Sequence, residues 1–281
     1  MKRLSILFVA VLLTAIGMVP AMAGPSRAVV QEMGSTIGND EVNVDVDWLP
    51  TGLNTTPTTV IGGGNGTIGG LALSSVNVGL ADGLELRLGR LPGLKSYISE
   101  LGNANNLGLT VKGAIPGVPG LAAWLGYGSN TTKDALPANS AGDTKGSSMR
   151  LGAAYTSTLA GFIVNGAADY GVDTTETAGV SGPDTKTTAV AIAAFYPLKP
   201  NILVGVEYHH ASIDAGTIAG ITTKYTVSAP AIGARIIAGS FTIDAVAMLA
   251  ANAKPSITGA TLTDVKTTTI GVPTLRVNYK F

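Results

Sequence analysis

The chain has 281 residues, with 18 basic side chains balanced by 18 acidic ones and no cysteine. Neutrality without a basic face argues against a nucleic-acid partner. The missing cysteine excludes disulfides, thiolate metal sites, a cysteine nucleophile and a lipid-modified cysteine. Apolar residues make up 46% but charged residues only 13%, about half the usual charged share of ~25%.

At the start, Lys2 and Arg3 precede an apolar run from Leu4 to Val19, and Pro20 breaks it before Ala21-Met22-Ala23. A basic start, an apolar middle and small residues around a cut predict a secretory signal peptide over 1–23, removed from the mature protein. Residues 24–41 carry no strand pattern and are expected to form a periplasmic lead-in or a partial plug. After the signal no apolar stretch reaches the ~18 residues of a membrane helix. A greasy chain without such a helix satisfies its backbone in lipid only as a closed barrel.

From residue 42 the period is two, as in a half-buried strand. Val42-Asn43-Val44-Asp45-Val46-Asp47-Trp48 alternates without error. Val76, Val78 and Leu80 share one phase, Asp82-Gly83 makes a tight hairpin turn, and Leu84, Leu86 and Leu88 resume around Glu85 and Arg87. Further strands are predicted near 107–115, 121–128, 148–156, 161–170, 187–196, 201–211, 223–237, 241–251 and 265–281. The total is about twelve. Short connections (Asp82-Gly83, Pro116 to Gly120, Ser157 to Ala160, Pro197 to Pro200, Ala238 to Ser240) alternate with long ones rich in Gly, Thr, Asn, Asp and Ser. That rhythm belongs to an all-β, closed antiparallel transmembrane barrel over 42–281, with short periplasmic turns and long extracellular loops.

Charge follows the same phase. Asp45, Asp47, Glu85, Arg87, Lys112, Arg150, Asp169, Glu207, Arg235, Asp244, Arg276 and Lys280 all stand opposite the larger apolar residues. A charge facing lipid at mid-depth costs about 2–4 kcal/mol, so these side chains are expected to line the lumen. Twelve strands give a backbone radius on the order of 12 Å. Gly152, Ala154, Ala167, Ala191, Ala193, Gly205 and Gly233 occupy inward positions and are expected to leave room. Lys95 to Leu101, in the loop before the fourth strand, has the length for a short helix folded inward as a constriction.

One constellation touches catalysis. In Tyr208-His209-His210-Ala211-Ser212 the phase puts His210 and Ser212 together on the outer face, near the outer leaflet. The His-x-Ser spacing resembles outer-membrane phospholipase A and the lipid A deacylases. That resemblance implies Ser212 as nucleophile and His210 as base. Ile213 and Asp214 follow where those families place Asn, and no orienting third residue stands out. The plainer reading, a Tyr and His at the headgroup level, is preferred: no catalytic residue is assigned, and the chain is expected not to be an enzyme. No metal ligands cluster and no cofactor is expected.

The chain ends Leu275-Arg276-Val277-Asn278-Tyr279-Lys280-Phe281. Its alternation and terminal aromatic resemble the C-terminal β-signal of Gram-negative outer-membrane proteins, with Tyr279 and Phe281 in the signal positions. The resemblance covers only the last strand. It implies an outer-membrane location, periplasmic chaperones and the barrel-assembly machinery as partners, and contact with lipid and lipopolysaccharide.

Two functions stay open on the lumen charges. If they line opposite walls around water, the barrel is a porin-like channel passing small hydrophilic solutes with weak charge selectivity. If they pair, it is a closed structural barrel presenting loops as an adhesin or receptor does. An outer-leaflet lipid hydrolase using Ser212 and His210 stands behind both.

Overall fold

The computed structural model describes residues 32–49, 70–92, 107–132, 144–218, 220–248, 251–258, 267–269 and 274–281. The expected signal peptide, the first part of the lead-in and the segment 95–101 lie outside the described residues. Twelve strands form the wall. They are β1 (Val42–Leu49), β2 (Gly70–Ala81), β3 (Leu84–Gly89), β4 (Leu107–Ala114), β5 (Leu121–Thr132) and β6 (Thr144–Leu159). There follow β7 (Phe162–Thr177), β8 (Thr185–Lys199), β9 (Ile202–Ile218) and β10 (Ile221–Ala238). β11 comes in two pieces, Phe241–Met248 and Ala251–Thr258, and so does β12, Thr267–Thr269 and Thr274–Lys280. Each pairs antiparallel with its neighbours in sequence, and β12 returns to β1 from Asn43↔Lys280 to Trp48↔Leu275, which closes the ring.

The short turns fall at one rim, where the sequence puts them. Gly83 has φ 79°, while Ala160 and Gly161 at the β6–β7 turn have φ 50° and 83°. Two consecutive left-handed residues are what a two-residue type I′ hairpin requires. The strand β2 begins at Gly70, ahead of the alternating run. β6 to β10 run 15 to 18 residues, beyond the 9–11 that cross a bilayer. Their upper halves are rich in Thr and Ser, and the hairpin β7–β8 adds a two-residue strand, Val180–Ser181, folded back on β7.

Burial is inverted relative to a water-soluble protein. Asp45, Glu85, Arg87, Lys112, Arg150, Asp169, Glu207, Arg235, Asp244 and Arg276 are all buried, whereas Leu88, Leu109, Leu125, Leu151, Ile192, Val206 and Ile232 face outward and exposed. An outward apolar band around a charged interior suits hydrocarbon outside. Aromatic pairs mark the rim of short turns: Phe162 with Tyr196 at 5.2 Å, Phe241 with Tyr279 at 4.7 Å, and Tyr279 with Phe281 at 4.6 Å. Such a belt sits at a membrane interface. The chain is an integral barrel of the bacterial outer membrane.

Candidate functional site

The lumen is built from the inward phase of every strand, and its densest charge lies on β3 and β4. Register sets Glu85 across from Lys112 and Arg87 across from Thr110. Alternation aims Glu85, Arg87 and Lys112 the same way, so two cations and one acid crowd one stretch of inner wall. The balancing charge comes from outside the wall. Glu32, in the segment leading to β1, accepts from Arg87 Nη1 at 2.6 Å and Nη2 at 3.0 Å, and from Lys112 Nζ at 3.2 Å. Arg87 is oriented by Nε donating to Asn77 Oδ1 at 2.8 Å, and Nη2 also reaches Glu85 Oε1 at 3.0 Å. A guanidinium fork on both carboxylate oxygens is the strong form of this bond.

The same segment touches the opposite wall. Asn165 Nδ2 on β7 donates to the Glu32 carbonyl at 2.9 Å, and Gly34 N–H donates to Thr156 Oγ1 on β6 at 2.7 Å. Met33 packs with Ala193 and Phe195 of β8 and Val246 of β11. Ile37 N–H donates to Glu85 Oε2 at 3.3 Å before the chain reaches β2, where Asp40 N–H donates to the Gly79 carbonyl. Residues 32–37 therefore bridge the lumen from β6–β7 to β3. At Gly34 a Cβ would meet the Gly120 carbonyl oxygen at 1.7 Å, so only glycine passes there.

The remaining predicted lumen residues form further groups. Asp45 is joined to Arg87 through Asn77, and it accepts from Ser75, Asn77 and Asn278 at 2.8–2.9 Å. Arg235 grips Asp244 bidentately at 2.7 and 2.9 Å, with Arg276 facing Asp244 in register. Arg150 reaches Asp173 at 2.7 Å, and Glu207 meets His209 at 3.0 Å. Asp169 is buried with Oδ2 unpartnered, as are His209 Nδ1, Thr187 Oγ1 and Trp124 Nε1. Asp47 pairs in register with Arg276, and its side chain lies outside the described residues. Lys280 sits at the rim, 43% exposed, on Glu41 at 2.6 Å, rather than inside the lumen.

The small inward residues do not all leave open space, which corrects that expectation. A Cβ on Gly152 would strike the Trp124 ring at 2.3 Å, one on Gly205 would strike Phe195 at 2.2 Å, and one on Gly171 would strike Arg150 at 2.4 Å. These glycines are slots in which a neighbouring strand's large side chain lies flat. Leu91, just after β3, likewise turns in over Gly108 and Gly126.

On the outer wall, His210 is hydrogen-bonded to Ser228, not to Ser212: Nδ1 lies 3.1 Å from Oγ. The reason is pairing. Directly opposed residues on antiparallel strands bring Cβ atoms to ~4.5–5.5 Å, closer than two positions along one strand, and His210 is opposed to Ser228. Glu32, Asn165, Thr156 and Ser228 are the contributors that sequence reasoning missed. One clue was available for Glu32: Arg87 and Lys112 on adjoining strands exceed Glu85 by one charge. Among the described residues, no group of three or more His, Asp or Glu is arranged to hold a metal ion.

No family model matches the sequence, and no curated protein does. Among solved structures the chain is similar to in-vitro folded OmpT, an outer membrane protein of Vibrio cholerae, at 15% identity over 85% of this chain and 75% of that one, with a TM-score of 0.39. It is similar too to outer-membrane expressed OmpT of the same organism, at 16% identity over 90% and 80%, with a TM-score of 0.38. Likeness at that level concerns the barrel alone. The expectation that the chain is not an enzyme is corrected here. The outer wall holds a histidine and a serine at a base-to-nucleophile distance.

Proposed function

We propose that this barrel is a porin-like channel for small hydrophilic solutes, held shut at rest by residues 32–37. The observation that carries this reading is how the lumen is blocked at the level of Arg87. The obstruction is a separate stretch of backbone, held by a few hydrogen bonds and one carboxylate clasp. A segment attached this way can leave without breaking the pairing between any two of the twelve strands, and the wall it leaves is charged at Arg87 and Lys112 and apolar where Met33 packs. Acidic and basic residues line that wall in nearly equal number, so an open lumen selects weakly by charge.

The second reading, a closed barrel presenting loops, is favoured by the burial of every described lumen charge. Planar-bilayer recording of the refolded protein separates the two. Rare discrete steps in the wild type, becoming frequent when residues 24–38 are deleted from the mature chain, support the gated channel. Silence in both supports the closed barrel.

A further inference from the structure

We propose that Arg87 and Lys112 form an anion site for a carboxylate-bearing solute, which Glu32 occupies at rest as a built-in competitor. The proposal names the solute class for the channel reading and shares its premise that segment 32–37 can leave, but the site can be tested without any current.

The site is formed on the barrel wall. Arg87 and Lys112 are fully buried on adjoining strands, and Asn77 and Glu85 fix the guanidinium before any ligand arrives. Its occupant contributes two coplanar oxygens and one negative charge, received by the Arg fork and by Lys112 Nζ. Glu32 is the counter-charge that touches both cations directly, while Asp45 reaches Arg87 only through Asn77. Withdrawal of Glu32 takes the contact carboxylate from two buried cations, where loss of one partner of an ion pair is costly. An anion entering as Glu32 leaves offsets that cost. The bidentate fork discriminates a planar carboxylate from a spherical halide by geometry as well as charge.

Opening and loading are then one exchange: a solute carboxylate takes the fork, and the segment is freed from its strongest tie. Because Glu32 is tethered, its effective concentration at the site is high, so a dilute solute displaces it only in part. The channel opens in proportion to the acidic solute outside.

Acetate is the probe, because Glu32→Ala removes a CH2–COO− fragment of its size. The full-length mature chain, wild type, Glu32→Ala and Glu32→Gln, is refolded in detergent and its thermal midpoint followed in sodium acetate against sodium chloride at equal ionic strength. Glu32→Ala should be stabilised saturably, its folded-to-unfolded ratio gaining about tenfold when acetate reaches ten times its Kd. Wild type, in which the site is filled, should move far less, and Glu32→Gln, which keeps the volume without the charge, should fall between. Equal midpoints in acetate and chloride for Glu32→Ala, or an equal rise in all three proteins, overturn the proposal. Should Glu32→Ala fail to refold, wild type in a planar bilayer decides: open probability rising with acetate over chloride supports the site, and no change overturns it. Acetate stabilisation without conductance steps would uphold the site and sink the channel. Steps in Glu32→Ala with no acetate preference would do the reverse.

Discussion

Trp124 and Gly152 show how a lumen is filled from its own wall. Register places them opposite each other on β5 and β6, and the indole lies across the glycine against Ala154 and Ala167. Gly152→Ala would push a methyl into the ring, and overpacking of this kind costs about 1–3 kcal/mol. Urea unfolding in micelles should show that loss, while Gly166→Ala, with nothing within 4 Å of its Cβ, should leave the midpoint unchanged. Arg235→Ala strands the buried Asp244 carboxylate, and breaking one side of a buried pair costs on the order of 3–5 kcal/mol. Arg276, opposite Asp244, should keep the measured loss near the lower end, and Asp244→Asn in the same chain should recover part of it. Gly34→Ala acts differently. It drives the segment off Gly120 and should raise proteolysis of residues 24–38 with the barrel still folded.

At the level of the element, what was legible followed from the pleat. Val42 to Asp47 and Leu84 to Leu88 read cleanly because lipid admits no charge on one face, so the period-two pattern is enforced residue by residue. The upper halves of β6 to β10 were not legible. Beyond the apolar band both faces of the wall meet water, alternation lapses, and Thr-rich stretches such as 171–177 read as loop. They pair all the same, through cross-strand hydroxyls such as Ser147 with Thr174 and Thr217 with Thr222, both at 2.7 Å. Asp214 caps one of these extensions. The Gly216 N–H, then Lys224, hold its carboxyl below the usual carboxylate range. A lowered folded-state value means the contribution is present above the unfolded value and lost as pH falls through the folded one. Amide protection at Gly216 should therefore drop on acidification below the ordinary Asp range, and Asp214→Asn should abolish that dependence. At the other rim Phe281 N–H donates to the Val42 carbonyl, and its ring stands edge-on to Tyr279. Phe281→Ala should slow closure of β12 on β1, seen as less of the compact, heat-modifiable form at early times.

For the whole molecule, the sequence carried the barrel but not its occupant. Strand number, turn rhythm and inward charge are repeated features, each supported by many residues. The clasp on Glu32 depends on one acid in a segment without periodicity, brought by the fold to partners 55 and 80 positions away. No local rule marks such a residue. The same holds for His210: its spacing to Ser212 along the chain is visible in sequence, and its pairing with Ser228 across strands is not. The half-buried pair of His210 and Ser228 has its own test: fatty-acid release from phospholipid vesicles by the refolded protein should vanish in Ser228→Ala if the pair is catalytic, and Ser212→Ala should not affect it.

The account as a whole turns on whether segment 32–37 is a removable obstruction. Single-channel recording of the wild-type chain from residue 24 onward beside a chain that also lacks residues 24–38 addresses that directly, both proteins being refolded and shown to be compact first. The wild type should be closed for most of the record with rare discrete steps, and the truncated chain should conduct steadily with weak charge preference. A folded truncated barrel that passes no current would contradict the account.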